Sequence, residues 1–427
     1  MIFIAIAVML ALMLAGVPIA FSLMISGCLG LWLVADWNTV MAILGSVPYR
    51  STASYVLTVI PMFILLAEVT SRSGIAKELF TVANKWIGHV PGGVGIATIM
   101  ASAGFAAMAG TSSASAAVFS RIAIPEMQRL GYSDRIAAGV VTVAGTLAIM
   151  IPPSLTLVLY GILTETSIGK LLIAGIIPGL LTAVNFAVGM YLIAKFVPGE
   201  VKDVPPFSWK ERTSGLTRLL PLFVLAFIIL GGLYTGIATA TEVGSLGALA
   251  AFVICIVTRR LKVSEAADSL KQTVIVSTMI FSIVIGAMIF GYFTTMTQVP
   301  QALIKAISAA GLSRWTVIAI LVVVYLILGC FFDQLAVLLI TVPLTFPLIT
   351  SLGFDAIWFG IVFTKLTEIG LVTPPLGLNA FVVSGTSKIP IMTVYRGASM
   401  LLVFDVVTLA MLLFIPELST FLPSLMK

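Results

Sequence analysis

Two proline doublets interrupt long apolar runs at matching places in the two halves of this chain. They are Ile151-Pro152-Pro153-Ser154 and Thr373-Pro374-Pro375-Leu376, and 374 − 152 = 222. The same offset carries Gly131-Tyr132 onto Gly353-Phe354 and Pro125 onto Pro347, so one internal repeat spans most of the protein. Proline lacks an amide donor and clashes with the preceding turn of a helix. Each doublet therefore ends a helix and leaves backbone groups that need partners. At membrane depth such groups are tolerated only inside protein or beside a wet cavity. Broken helices at equivalent points of two repeats mark the binding site of a secondary transporter.

The doublets do lie at membrane depth. Of the 427 residues, 60% are hydrophobic and 9% charged, against about a quarter charged in soluble domains. Apolar stretches approaching the roughly 20 residues that cross a bilayer recur from Ile2 to Ile415, and their spacing predicts about ten to twelve crossings. Met1-Ile2-Phe3 has no basic leader or cleavage site after it, so the first helix is expected to stay on the protein. The net charge of +6 falls in short loops between apolar spans, where it sets orientation and does not point to nucleic acid. Lys195, Lys202, Lys210, Arg212 and Arg218 flank one loop, and Arg259, Arg260, Lys262 and Lys271 the next; the positive-inside rule makes both cytoplasmic. Cys28, Cys255 and Cys330 have neither ligand spacing nor an evident partner. His89 stands alone in a Gly-rich loop, read as solvated.

These signals divide the chain into N-terminal helices at 1–49, a first repeat at 50–197, a connector and helical hairpin at 198–271, a second repeat at 272–390 and a C-terminal helix at 391–427. Each repeat holds a membrane helix, a hairpin rich in small or turn residues, and a helix stopped by Pro-Pro. The hairpins are expected at about 92–127 and 320–349, the breaks at 152–153 and 374–375. The fold class read from this is an all-α polytopic membrane protein with re-entrant hairpins. An odd number of crossings per repeat would leave the two copies inverted in the membrane.

The hairpin tips carry the chemistry. Gly110, Thr111, Ser112, Ser113 and Ser115 form the first, and position 111 maps onto Asp333 in the second. Sodium is a hard cation that takes oxygen ligands. The first-half hydroxyls, close backbone approach at Gly110 and Gly145, and carbonyls freed near Pro152 make one candidate sodium site. Asp333, Thr367, Gly370, Thr373, Pro374 and Asn379 offer a parallel set. Small residues also serve tight helix packing, but their matched occurrence in both halves favours an ion site.

Ionisable residues inside apolar spans are functional candidates. Lys365 and Glu368, three apart on one helix face, are either a structural ion pair or substrate contacts. Glu68 and Arg72 read as a helix-end pair, while Glu242 and Asp405 have no partner visible in the sequence. Arg50 and Arg121 either meet an anionic substrate or snorkel to the interface.

The run Gly104-Phe105-Ala106-Ala107-Met108-Ala109-Gly110-Thr111-Ser112-Ser113, the segment from Gly145-Thr146 to Pro152-Pro153-Ser154, and Glu368-Ile369-Gly370-Leu371-Val372-Thr373-Pro374-Pro375-Leu376-Gly377-Leu378-Asn379 resemble the large membrane subunit of tripartite ATP-independent periplasmic (TRAP) transporters over essentially the whole chain. The resemblance implies an elevator in the bacterial inner membrane, with the hairpins and broken helices sliding against a scaffold that includes 1–49 and the hairpin within 198–271. It implies sodium as the coupling ion, a small four-helix membrane subunit, expected as a separate polypeptide, and a periplasmic substrate-binding protein. Its cargo would be a carboxylate such as a C4-dicarboxylate, a sialic acid or a keto acid. Ser154 and Asn379, beside the doublets, join Lys365 and Glu368 as expected substrate contacts. No organic cofactor is expected, and Gly92-Gly93-Val94-Gly95 lacks the setting and the lysine of a phosphate loop. The competing readings are a self-sufficient sodium- or proton-coupled dicarboxylate symporter; a membrane enzyme, which one histidine and dispersed cysteines disfavour; and a channel or structural subunit, which leaves the paired breaks unexplained.

Overall fold

The computed structural model describes residues 2–202 and 204–426, which contain helices, turns and irregular segments and no strand. The chain opens with α1 (Ile2–Leu14), α2 (Ile19–Val34) and α3 (Trp37–Thr52). The Asp36 carboxylate accepts the Thr39 N–H at 2.7 Å and so caps α3. Next come α4 (Val59–Arg72) and, after a left-handed Gly74, α5 (Ile75–Ile87). α6 (Gly93–Ala109) and α7 (Ser112–Arg129) form a hairpin that turns at Gly110-Thr111. α8 (Asp134–Met150) stops at the first doublet, and α9 (Leu155–Thr164) restarts beyond it, followed by α10 (Ile168–Ala174) and α11 (Ile176–Phe196).

The polar interval that follows holds one short helix, α12 (Trp209–Thr213), started by a capping box between Ser208 and Glu211. α13 (Leu220–Ala226), a π-turn at Phe227–Gly231, α14 (Gly232–Thr235) and α15 (Ala240–Val257) make the inserted hairpin. α16 (Val263–Met296) begins inside the interval read from sequence as a loop flanked by Arg259, Arg260, Lys262 and Lys271; at 34 residues it is about 50 Å long. Then come α17 (Val299–Ala309), the second hairpin α18 (Arg314–Phe331) and α19 (Gln334–Ser351), the broken helix α20 (Ala356–Val372) and α21 (Leu378–Ser387), and α22 (Ile391–Phe414) with α23 (Glu417–Ser424). Pro125 and Pro347, matched by the offset, both sit inside the second arm of their hairpin.

Nine of the described helices or joined helices are long and apolar enough to cross a membrane, and three shorter apolar ones accompany them. Large apolar side chains stay exposed on outer helices, among them Phe223, Phe227, Val263, Val274 and Val403. Such a belt suits lipid.

Contacts between loops fix the direction of each half. At one end Trp86 Nε1 donates to the Arg212 carbonyl at 3.1 Å, Arg260 pairs with Glu78 at 2.6 Å, and the Ser133 N–H donates to the Glu200 carbonyl at 3.0 Å. This end carries the basic connector, the side that the positive-inside rule assigns to the cytoplasm. α6 and α8 start here. At the other end Glu165, after α9, lines a cavity with residues 238–241, and the Tyr160 hydroxyl donates to the Ala356 carbonyl at 2.7 Å. α20 therefore starts at the end opposite to the start of α8. The pair α8–α9 and the pair α20–α21 run in opposite directions, which is an inverted repeat.

Candidate functional site

Both doublets are cis at their Pro-Pro bond, Pro152-Pro153 and Pro374-Pro375, and each break is tied to the hairpin tip of its own half. The Leu155 N–H donates to the Gly110 carbonyl at 3.4 Å, and the Gly377 N–H to the Cys330 carbonyl at 3.2 Å. Gly110 has φ +67°, a left-handed conformation that glycine adopts without cost. This turn lets the chain reverse directly beside the Pro153 carbonyl, which lies 3.5 Å from where a Cβ on Gly110 would stand.

The two tips meet across one cavity of about 510 Å³, lined by Thr111, Ser112 and Ser113 from the first half and by Asp333 and Gln334 from the second. α7 and α19 both begin at its wall. The dipoles of two helix N-termini thus bias the cavity toward negative charge. Asp333 also caps α19, its carboxylate accepting the Leu335 N–H at 3.0 Å. The sequence reading missed further lining groups: Glu68 and Ser71 on α4, and Val276, Met279 and Ile280 on α16. Their spacings of three and four put each set on a single helix face, a signal visible in the sequence but without a partner to interpret it. Glu68 also makes the expected pair with Arg72, at 3.4 Å.

Other candidate residues lie around this cavity without lining it. The Ser115 hydroxyl is buried and bonds Ser102 Oγ at 3.1 Å; Ser102 in turn donates to the Ala144 carbonyl at 2.7 Å, joining both arms of the first hairpin to α8. Gly145 packs on Ala116, whose Cα would lie 3.2 Å from an added Cβ. Gly370 packs on Gly329, whose Cα would lie 2.5 Å from one. Close backbone approach at both glycines thus serves helix packing. The Thr367 and Thr373 hydroxyls bond carbonyls of their own helix, at 2.9 Å to Thr364 and 2.6 Å to Ile369. Ser154 is buried and caps α9 through the Leu157 N–H. Asn379 is buried with neither amide atom paired. Pro152 is buried, whereas Pro374 is exposed.

The family model for the tripartite ATP-independent periplasmic transporter, DctM component, matches residues 6–418. The chain belongs to this family. Over 377 residues, 88% of each chain, it is 37% identical to the C4-dicarboxylate TRAP transporter large permease protein DctM of Pseudomonas aeruginosa. It is 31% identical to the sialic acid large permease SiaM of Vibrio cholerae, over 97% of each chain, and 31% identical to the ectoine large permease TeaC of Halomonas elongata, over 99% of each. Its fold is similar to that of the Alcanivorax borkumensis YdaH transporter, with a TM-score of 0.62 at 13% identity over 90% of this chain and 88% of that one. This TRAP large permease is a multi-pass protein of the inner membrane, and a transporter subunit, not an enzyme.

In this permease Lys365 and Glu368 do not reach the cavity. Both are wholly buried, and Nζ donates to Glu368 Oε2 at 3.1 Å and to Thr182 Oγ1 at 3.0 Å. Of the two readings left open, the geometry shows the ion pair. Asp405, left unpartnered in the sequence, pairs with the same ammonium from α22. Glu242 also has a partner: it accepts the Thr239 N–H at 2.8 Å in a capping box. Arg50 lines a separate cavity of about 450 Å³ with Glu165 and Tyr292, and Arg121 is exposed on α7.

Proposed function

We propose that this permease imports an organic acid together with sodium ions, through the cavity between the two hairpin tips. The observation that carries this reading is the composition of the cavity. Its wall offers hydroxyls, Gln334, Glu68 and Asp333, and among the described residues no Lys, Arg or His. A carboxylate entering it meets two helix N-termini but no cationic side chain, and bound sodium, held by oxygen ligands, would supply the missing charge. The substrates in the names of the three relatives above, C4-dicarboxylates, sialic acid and ectoine, each carry a carboxylate. The hairpins and their broken helices would move as the sliding body of an elevator. A periplasmic binding protein would deliver the substrate, and a small four-helix membrane subunit would complete the scaffold.

The test is the thermal stability of the purified permease in sodium against choline at matched ionic strength, since a ligand that binds only the folded state stabilises it by mass action. The expected result is a saturable, sodium-specific rise that Thr111→Ala, Ser113→Ala and Asp333→Asn each reduce. A rise of the same size in all three variants would remove the tips as the sodium site. No rise in the wild type, with or without a carboxylate, would remove sodium coupling.

A further inference from the structure

The cavity between the hairpin tips has two unlike walls. In the first-half wall Thr111 stands at the N-cap of α7, but its side chain accepts no N–H. The first amides of an 18-residue helix are therefore open to an anion, beside the hydroxyls of Ser112 and Ser113. The opposite wall is built from acceptors. There the N-terminus of α19 is already taken by the carboxylate of Asp333. Gln334 is 3% exposed, and its Oε1 has no hydrogen-bond partner. Glu68 adds a second carboxylate from α4, a helix that packs on α15 and α16. Its charged partner Arg72 lies 3.4 Å away, does not line the cavity and is itself partly exposed, and ion pairs of that kind hold their members weakly. Glu68 is thus available to a ligand.

We propose that the substrate held in this cavity is a zwitterion, a carboxylate that also carries a cationic nitrogen, and that Glu68 selects it. The substrate's carboxylate takes the open amides and hydroxyls at the start of α7. Its N–H groups take Glu68 and the unpaired Gln334 oxygen. Charge decides against a dicarboxylate: the wall already holds two carboxylates, Glu68 and Asp333, and among the described residues no cationic side chain. A dianion would raise the sum to four negative charges, whereas a zwitterion leaves it at two, and like charges repel strongly away from bulk water. Sodium at the tips offsets either sum equally and leaves that difference in place. The inference rests on the reading of this cavity as the carboxylate site and deepens it by naming the class of carboxylate.

The experiment is the melting temperature of the full-length purified permease, in sodium and in choline, titrated with 4-aminobutyrate, pentanoate and glutarate. These share one carboxylate and one carbon spacer and differ only at the far end, which is an ammonium, a methyl or a second carboxylate. Glycine betaine and its uncharged isostere 3,3-dimethylbutanoate repeat the contrast in a compact shape. A saturable rise is expected with the zwitterions, a smaller one with the uncharged isosteres and the smallest with glutarate. Glu68→Gln should raise the 4-aminobutyrate concentration required by about tenfold or more, the worth of one hydrogen bond to a charged group. An equal or larger rise with glutarate or pentanoate, no rise with either zwitterion, or an unchanged titration in Glu68→Gln would each overturn the proposal. If that variant does not fold, the wild-type comparison decides alone. A sodium-dependent rise with glutarate would leave sodium coupling standing and end this inference, while a rise with 4-aminobutyrate that is the same in choline would do the reverse.

Discussion

The first broken helix is closed at its break and the second is open there. Pro152, Pro153 and Ser154 are all buried, and the Ser154 hydroxyl caps the helix that restarts. Pro374, Pro375 and Leu376 are exposed, and Gly377, the N-cap of α21, has φ +49° and offers no side-chain cap. The second half instead takes its partner from α22, where the Tyr395 hydroxyl lies 3.0 Å from the Pro375 carbonyl and 2.6 Å from that of Leu376. The offset of 222 maps Lys365, Glu368 and Asp405 onto Val143, Thr146 and Ala183. Charge therefore holds the second break to its surroundings where apolar packing holds the first. The hairpins differ likewise: α6 is almost wholly buried, while α18 exposes Ile320, Val323, Val324, Ile327 and Phe331. An inverted repeat gives two breaks the same backbone problem, and here the first solves it locally and the second through α11 and α22.

The largest test of this contrast is Lys365→Met, which removes the only cation from two buried carboxyls. It should cost about 3–5 kcal/mol in denaturation of the detergent-solubilised protein. The first-half change Thr146→Val, at the position matching Glu368, removes one bond to the Val143 carbonyl and should cost about 1 kcal/mol. Equal losses would end the distinction between a charged and an apolar anchor. Next is Gly370→Ala. Its new methyl would sit 2.5 Å from the Gly329 backbone, whereas that of Gly145→Ala would first meet the Ala116 methyl at 2.9 Å. Both fall in the range of about 1–3 kcal/mol for overpacking, with Gly370→Ala the more damaging, and melting temperatures give the order. Tyr395→Phe should then cost about 1–2 kcal/mol by orphaning carbonyls at the second break, and Ser154→Ala about 1 kcal/mol by removing the cap at the first. If Tyr395→Phe has no effect, the second break does not depend on α22. Thr111→Ala should change stability least without sodium, its effect appearing only in the sodium-dependent rise.

Much of this was legible in the chain. A proline doublet acts through its own backbone, so the breaks at 152–153 and 374–375 and the tips at Gly110-Thr111 and Asp333 could be placed from local chemistry and one offset. The charged cluster could not. Lys365 and Glu368 share a helix face and so pair on paper, but nothing local ties them to Asp405 on α22 or Thr182 on α11. Glu68 was assigned to Arg72 by spacing alone, and only the fold turns its helix face toward the hairpin tips. The glycines of the motifs were read as openings for an ion, and the fold uses Gly145 and Gly370 to bring helices together.

The sequence by itself determined the membrane class, the internal repeat, the four helix ends at the two doublets and the residues offered at each tip, because composition and proline geometry act within a few residues of where they are written. Tertiary structure alone decided that tips 222 positions apart share one cavity, that Asp405 completes a buried cluster with Lys365, and that one break is closed while the other is open. Those outcomes depend on which helix faces meet across the bundle, and burial and charge pairing between distant segments leave no period in the chain.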